Sequence, residues 1–203
     1  MTDAVILAGG RSTRFGDTDK AVARLAGRAM IRRVADRLLS TTDRVVVNCR
    51  ADQVEAIGEA FADYPRPVTV AEDPDPDEGP MAGIRTGLRA TESEYAFVVA
   101  CDMPFVDPAL VTHLFERARG NDAAVPRVGD GWFQTTHAVY RAEAMVDACE
   151  RALEAGERKV IAPLEHLEYV VIDEREVERV ASLESFENLN TREEFERAAS
   201  RFR

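Results

Sequence analysis

The segment near the N-terminus that is most informative about the architecture reads Ala4-Val5-Ile6-Leu7-Ala8-Gly9-Gly10-Arg11-Ser12-Thr13-Arg14-Phe15-Gly16-Asp17-Thr18-Asp19-Lys20. Its apolar start is rich in Val, Ile and Leu and stops at two glycines, which is typical of a short buried strand. Gly9, Gly10 and Gly16 lack a Cβ, so the backbone can turn tightly there and a ligand can approach the main chain closely. The stretch therefore predicts a strand followed by a glycine-rich loop.

The loop has the composition of a phosphate-binding site. Successive backbone N–H groups in such a loop form a concavity that suits phosphate oxygens. Arg11, Arg14 and Lys20 would add three cations; arginine grips phosphate with two prongs, and lysine acts as a compact point charge. Neither the Walker A pattern nor the dinucleotide-binding glycine fingerprint fits this loop. The plain alternative is a surface turn with solvated basic side chains.

Strand and helix patterns alternate along the whole chain, which predicts an α/β fold with a mostly parallel central sheet. We find no internal repeat and no linker, so residues 1–203 are expected to form a single domain. The pattern at residues 176–180 fits a strand or a helix equally well. Predicted strands lie at about residues 3–8, 44–49, 67–71, 95–101, 122–128, 134–140 and 169–172, and predicted helices at about 29–39, 52–62, 80–90, 108–119, 142–155 and 192–201.

Polar residues follow several of the predicted strands at the point where each strand ends. In open parallel sheets the ligand lies in the crevice beyond those carboxyl ends. Asp102 is the sharpest candidate, because a carboxylate at the mouth of a buried strand is well placed to hold Mg²⁺ against phosphate oxygens. Turn and helix-cap roles are the ordinary alternatives for Asn and Asp. The residues at these ends are Gly9, Gly10, Asn48, Asp73 and Asp102.

The pattern L-A-G-G-R-S-x-R-x-G-x-x-x-K resembles that of nucleotidyltransferases with the nucleoside-diphospho-sugar pyrophosphorylase fold and, among them, the molybdenum cofactor guanylyltransferase family. The resemblance implies a Rossmann-like three-layer α/β/α architecture of the nucleotide-diphospho-sugar transferase type. It spans the chain from Val5 to about Phe195, and its motifs keep their order. Phe15 departs from the family's usual methionine, and the segment 132–137 departs from a usual proline-containing substrate segment.

The resemblance also implies roles for individual residues. Asp102 would bind the metal. The motif Gly79 to Gly83 would lie beside the guanine base, and Asn188 to Thr191 would lie toward the pterin substrate. His137 would contact the acceptor's phosphate or, as is more usual for a single histidine on a strand, be packed in the core. The GTP-binding residues implied are Leu7, Ala8, Gly9, Lys20, Asn48, Asp73, Gly79, Pro80 and Gly83, with Asn188 and Asn190 on the acceptor side.

The implied reaction is transfer of GMP from GTP to molybdopterin with release of pyrophosphate. Arg11, Arg14 and Lys20 would neutralise the triphosphate, and Mg²⁺ on Asp102 would activate the α-phosphate. Molybdoenzyme maturation proteins are the partners such an enzyme would have. Three other reactions of the same fold stay open: cytidylyl transfer to molybdopterin, and guanylyl transfer to cobinamide phosphate or 2-phospholactate. A protein that delivers nucleotide or pterin without turnover is the alternative from another class.

The composition bounds the partners and the compartment. A formal net charge of −11 argues against nucleic acid as the main partner. No apolar run is long enough to span a bilayer, and no basic segment that would start a signal peptide precedes Asp3. Cys49, Cys101 and Cys149 are odd in number and far apart, so we expect reduced thiols in a cytoplasmic protein.

The charge imbalance has an unusual source. Only Lys20 and Lys159 are lysines, against 37 acidic residues. Scarce lysine on an acid-rich surface is typical of proteins adapted to high salt, where ions screen the self-repulsion. A genome-wide preference for arginine codons is the plain alternative.

Overall fold

A computed structural model of the chain describes residues 1–10, 19–74, 79–129 and 131–202. The β-strands are β1 Asp3–Leu7, β2 Arg24–Leu25, β3 Arg28–Ala29, β4 Arg44–Cys49, β5 Val68–Glu72, β6 Tyr95–Ala100, β7 Ala123–Val128, β8 Trp132–Phe133, β9 His137–Arg141 and β10 Tyr169–Asp173. The α-helices are α1 Met30–Leu38, α2 Val54–Phe61, α3 Pro80–Arg89, α4 Pro108–Ala118, α5 Ala142–Glu154, α6 Glu174–Glu178 and α7 Arg192–Ala199. Short 3-10 helices lie at Ala51–Gln53, Ala162–His166, Leu183–Phe186 and Ser200–Phe202.

The central sheet of the described chain runs in the order β10-β7-β9-β6-β1-β4-β5, with β8 paired to β7, and β2 and β3 form a separate hairpin. Strands β5, β4, β1 and β6 are mutually parallel, whereas β9 runs antiparallel to β6 and β7. The expectation of a mostly parallel sheet is confirmed. The parallel strands are nearly continuous apolar runs because helices cover both of their faces.

Alternate residues of each central strand feed two separate cores. Ile6 and Phe97 pack with helices α1, α2, α4 and α6 on one face of the sheet. Val5 and Val98 pack with α3 and α5 on the other face. This period of two follows from the opposite directions of successive side chains in a strand, and it produces the expected three-layer α/β/α architecture.

The chain after β10 returns across the molecule to the β2–β3 hairpin. Leu189 and Ala198 are buried against Leu25 and Met30, with Phe195 and Phe202 packed around them. Helix α7 begins with the predicted capping box, because the Thr191 hydroxyl accepts from the Glu194 N–H while the Glu194 carboxylate accepts from the Thr191 N–H. The C-terminal segment is thereby fixed beside the hairpin that follows Lys20.

Two predicted elements differ in detail. The strand expected at 134–140 begins later, as β9 at His137–Arg141. The preceding residues Trp132–Phe133 form β8, which pairs with β7, and the Gln134 N–H extends this pairing by donating to the Pro126 carbonyl. The undecided residues 176–180 overlap helix α6, whose start is capped by the Asp173 carboxylate accepting from the Glu176 N–H. None of the described helices is long and apolar enough to cross a membrane.

Candidate functional site: the carboxyl edge of the parallel strands

The carboxyl ends of β5, β4, β1 and β6 lie side by side, and hydrogen bonds continue past each strand end. The Ala8 N–H donates to the Asn48 carbonyl at 2.8 Å, and the Cys101 N–H donates to the Leu7 carbonyl at 3.0 Å. The Asp73 N–H donates to the Cys49 carbonyl at 2.8 Å. The ladder thus places the start of the glycine loop, Asn48, Asp73 and Asp102 along one edge, as the sequence predicts.

Asn48 and Asp73 form a polar floor between the glycine loop and helix α3. The Asn48 amide nitrogen donates to the Ala71 carbonyl at 3.3 Å, which leaves the amide oxygen directed toward Gly9 and Gly83. A Cβ on Gly9 would lie 3.2 Å from an Asp73 carboxylate oxygen and 3.6 Å from the Asn48 amide oxygen. Both oxygens therefore meet at the first glycine of the loop.

Helix α3 approaches this floor closely because two of its residues are glycines on the same face. A Cβ on Gly83 would lie 2.5 Å from the Asn48 amide oxygen, and a Cβ on Gly87 would collide with Val5. Gly79 precedes the helix with φ of +85°, which favours glycine, and Pro80 occupies the first turn as predicted. The helix start, with its partial positive charge, consequently lies beside Asn48 and Asp73.

Lys20 and Asp102 form an ion pair on the β6 side of the β1 strand end. The Lys20 ammonium donates to an Asp102 carboxylate oxygen at 2.7 Å and to the Asn190 amide oxygen at 3.0 Å. The Lys20 and Asp102 side chains are only 11% and 19% exposed, so solvent screens the pair weakly. Lys20, Asp102 and Asn190 are far apart in the sequence and thus come together at one point of the structure.

Asp102 retains an oxygen for a cation. Its second carboxylate oxygen is buried and has no hydrogen-bond partner within the described ranges. Those same ranges contain no group of three or more His, Cys, Asp or Glu side chains arranged to hold a metal. A single carboxylate fits an ion such as Mg²⁺, which takes oxygen ligands and fills its other positions with water and substrate phosphate. The alternative role as a helix cap does not apply, since Asp107 caps α4.

Two side chains that sequence analysis missed, Arg50 and Gln53, anchor the ends of the glycine loop. The Arg50 guanidinium donates to the Gly9 and Gly10 carbonyls, each at 3.0 Å. The Gln53 amide donates to the Ala8 carbonyl at 2.9 Å and to the Asp19 carboxylate at 2.5 Å. The available signal was position, since Arg50 directly follows β4 and Gln53 ends the 3-10 helix that comes next.

Some predicted site residues make none of these contacts or lie outside the described residues. Arg11 and Arg14, predicted to neutralise the triphosphate, lie outside the described residues, as do Phe15 and Gly16. Gly10 is exposed and contacts Arg50 through its carbonyl. The Asn188 amide nitrogen donates at 3.5 Å to the Phe186 carbonyl of its own segment, while its neighbour Asn190 reaches Lys20.

The buried histidine and thiols are neutral groups. His137 is fully buried between Phe97 and Phe186, and its Nε2 lies 3.3 Å from the Ser185 hydroxyl, so the packed interpretation holds. Burial lowers the pKa of His137 to about 3. Burial raises the pKa of Cys49 to about 11 and of Cys149 to about 12, and it also raises the pKa of Cys101. These thiols stay protonated near neutral pH and are unsuited to nucleophilic catalysis.

Comparison of the sequence with known proteins identifies the family of this chain. Residues 4–169 match the MobA-like NTP transferase domain. The chain is 51% identical to a probable molybdenum cofactor guanylyltransferase of Natronomonas pharaonis over 97% of this chain and 96% of the relative. It is 40% identical to a protein of the same description from Haloferax mediterranei, over 97% of this chain and 92% of the relative.

A solved structure shows the same fold. The crystal structure of molybdopterin-guanine dinucleotide biosynthesis protein A from Archaeoglobus fulgidus superimposes with a TM-score of 0.79 at 29% identity, covering 100% of this chain and 98% of the other. Together with the family match over most of the chain, this likeness shows that the chain is a nucleotidyltransferase and belongs to the MobA-like NTP transferase domain family.

Proposed function

We propose that this nucleotidyltransferase transfers GMP from GTP to molybdopterin and releases pyrophosphate. The observation that carries the proposal is the Lys20–Asp102 pair beside the glycine loop, at 2.7 Å, because it joins a phosphate-binding cation to a metal-binding carboxylate. The identity of both substrates is supported by relatives named molybdenum cofactor guanylyltransferase.

Guanine is the base that the polar floor favours. A Cβ placed on Gly9 would lie 3.2 Å from the Asp73 carboxylate oxygen and 3.6 Å from the Asn48 amide oxygen, so these two oxygens are close together. Both atoms are hydrogen-bond acceptors when Asp73 is ionised. Guanine presents two neighbouring N–H donors on its Watson–Crick edge, whereas cytosine presents an acceptor next to its amino group. Two adjacent acceptors therefore favour GTP over CTP, with Gly79, Pro80 and Gly83 at the start of α3 lining the base.

Nucleotidyltransferases of this family generally use a divalent metal, and we assign the metal as Mg²⁺. The buried free oxygen of Asp102 is the ligand that the chain supplies. When bound, Mg²⁺ polarises phosphate oxygens and offsets the charge that develops on them during transfer. Mg²⁺ held by Asp102 would take its other oxygen ligands from water and the triphosphate.

The residues of the chain position two anions and need no covalent nucleophile. A phosphate oxygen of the acceptor forms a bond to the α-phosphorus of GTP as the bond to the β-phosphate oxygen breaks, and pyrophosphate leaves. Lys20 and the glycine-loop amides bind the triphosphate, and Arg11 and Arg14 are proposed to neutralise it further. Catalysis then consists of alignment and charge stabilisation, as in phosphoryl transfer generally.

The acceptor lies on the β6 side of the loop in this proposal, toward Asn188. The negative charge of the chain and its lack of a zinc-type cysteine cluster agree with a small-molecule biosynthetic enzyme. We propose a cytoplasmic location and molybdoenzyme maturation proteins as the recipients of the product.

The test is pyrophosphate release by the purified protein with Mg²⁺, one of four α-labelled nucleoside triphosphates, and one acceptor. The acceptors are molybdopterin, cobinamide phosphate and 2-phospholactate. We expect release and transfer of label only with GTP and molybdopterin together. Transfer of label from CTP, or to another acceptor, would replace the substrate assignment. Tight GTP binding without pyrophosphate release would show a delivery protein instead.

A further inference from the structure

Lys20 has a second hydrogen-bond acceptor besides Asp102, and it comes from the far end of the chain. The Asn190 amide oxygen lies 3.0 Å from the Lys20 ammonium nitrogen across 170 positions of sequence. The Lys20 side chain is 11% exposed, so these two acceptors replace most of the water around the ammonium. Two fixed acceptors define the direction of the ammonium, which a flexible four-carbon stem does not define by itself.

The position of Asn190 is set by contacts on both sides. The Leu189 N–H donates to the Asp102 carbonyl at 3.0 Å, and the Leu189 side chain is fully buried. The Asn190 and Thr191 N–H groups donate to the Glu194 carboxylate at 2.7 and 2.9 Å. Those N–H groups also lower the pKa of Glu194, so this cap remains charged near neutral pH. Asn190 is exposed, and these contacts place it next to the residue that pairs with Lys20.

Asn190 lies after residue 169, where the match to the family domain ends. The segment that carries it is nevertheless tied to Asp102 through the backbone and to Lys20 through the side chain. Residues after β10 thus contribute contacts to the candidate site that is formed by the earlier part of the chain.

From this arrangement we infer that Asn190 is a positioning residue for Lys20, an inference that rests on the proposed function for the role of Lys20 itself. Asn190 orients the ammonium so that its remaining N–H group points to a phosphate oxygen of the nucleotide. A neutral amide suits this task, because it accepts a hydrogen bond without cancelling the positive charge that phosphate requires. A carboxylate at this position would hold Lys20 as firmly and weaken phosphate binding.

The chain offers a direct measurement, since Lys20 and Lys159 are its only lysines and Lys159 is exposed. Lysine labelled with ¹⁵N gives an ammonium NMR signal where hydrogen bonding slows proton exchange. We expect a Lys20 signal in the free wild-type protein, its loss or shift in Asn190→Ala, and its retention in Asn190→Asp. Asn121→Ala is the matched control, because its amide contacts only the Arg117 carbonyl of α4 in the described chain. An unchanged Lys20 signal in Asn190→Ala overturns the inference.

Nucleotide binding supplies the second measurement, a double-mutant cycle read as the dissociation constant for GTP. We expect Asn190→Ala to weaken GTP binding about tenfold, as for loss of a hydrogen bond to a charged group. Asn190→Asp should weaken it at least as much in spite of the retained NMR signal. In a Lys20→Met background, Asn190→Ala should have no further effect, because it acts through Lys20.

The outcomes separate the two proposals. An equal loss from Asn190→Ala in both backgrounds would mean that Asn190 contacts substrate directly, and the inference would fail. Wild-type protein that binds no GTP would refute the proposed function, while the NMR comparison would still decide whether Asn190 orients Lys20. Near-ultraviolet circular dichroism of each variant identifies misfolding, and Asn190→Asp keeps the test valid if Asn190→Ala does not fold.

Discussion

The ammonium nitrogen of Lys20 lies 2.7 Å from a carboxylate oxygen of Asp102, although the two residues are 82 positions apart in the sequence. Each group neutralises the other in the ligand-free protein. In the proposed function, a phosphate of GTP would bind to Lys20 and a divalent metal would bind to Asp102. The ion pair therefore keeps a positive and a negative charge at the start of the glycine loop, and each charge has a partner in this weakly hydrated site.

Replacing Asp102 by Asn tests its metal-binding role. Asn keeps the size and one acceptor for Lys20 but removes the charge that holds the metal. We expect kcat for GMP transfer to fall by about 10²–10³, the usual effect of losing one positioned charge in a transfer reaction. The measurement is the steady-state rate of pyrophosphate release at saturating GTP, together with the unfolding temperature.

Asp63→Asn is the matched control, because this carboxylate pairs with Arg32 away from the site and is 85% exposed. It should leave kcat within about twofold, since exposed pairs contribute little. Normal turnover by Asp102→Asn would rule out the metal role.

Lys20→Met should instead raise the KM for GTP as well as lower kcat, because it removes a phosphate contact present before the transition state.

Gly83→Ala tests how closely helix α3 must approach Asn48. The added Cβ would lie 2.5 Å from the Asn48 amide oxygen, and the amide is held by its bond to the Ala71 carbonyl. We expect a loss of about 1–3 kcal/mol in the free energy of unfolding, as for other overpacked sites, and a raised KM for GTP. Chemical denaturation and steady-state kinetics measure the two effects.

Gly58→Ala is the control of the same chemical size. Gly58 lies in helix α2, and a Cβ there meets no atom within 4 Å among the described residues. It should stabilise the protein by about 0.5–1 kcal/mol, because alanine loses less backbone entropy in a helix. If both variants behaved alike, the contact between Gly83 and Asn48 would have no energetic importance.

Sequence alone located the edge of the sheet where the candidate site lies. Apolar runs marked the buried strands, and the polar residue after each run marked its carboxyl end, so Gly9, Asn48, Asp73 and Asp102 were found together. These positions follow from local patterns, because parallel strands bring their carboxyl ends to one edge whatever their order. The sequence predicts that Lys20 and Asp102 lie near the same nucleotide, and the structure shows that they contact each other directly.

The contacts that sequence did not reveal are long-range and depend on tertiary packing. Arg50 and Gln53 read as ordinary loop and helix residues, yet they hold the carbonyls of residues 8–10. Asn190 was assigned to the acceptor side, and only the fold shows its amide against Lys20. Helix α6 did carry a local signal, because Asp173 lies three residues before Glu176 and caps the helix.

Burial of His137 predicts a component of stability that acid removes. The pKa of His137 is lowered to about 3 in the folded protein, against about 6.5 for a histidine in an unfolded chain. Below pH 6.5 the unfolded state binds one more proton than the folded state, so this stability is complete above pH 6.5 and is lost as pH falls toward 3. At pH 5 the loss is about 2 kcal/mol, since each pH unit contributes about 1.4 kcal/mol.

His137→Phe isolates this component, with His137→Gln as a second variant if the first repacks poorly. The measurement is the difference in unfolding free energy between wild type and variant at pH 7 and at pH 5. We expect wild type to lose about 2 kcal/mol relative to either variant over this interval. A difference that does not change with pH would show that His137 accepts a proton in the folded protein.

The net charge of −11 leads to a prediction about salt that separates two origins of the acidic surface. Simple screening of surface repulsion is nearly complete once the Debye length falls to about 8 Å, at roughly 0.15 M salt. If arginine-codon preference alone explains the scarce lysine, the unfolding temperature should rise with KCl up to about this concentration and then level off. If the surface is adapted to high salt, as we expect, the unfolding temperature should continue to rise into molar KCl. Calorimetry across this range decides between them, and a plateau at low salt would refute the adaptation.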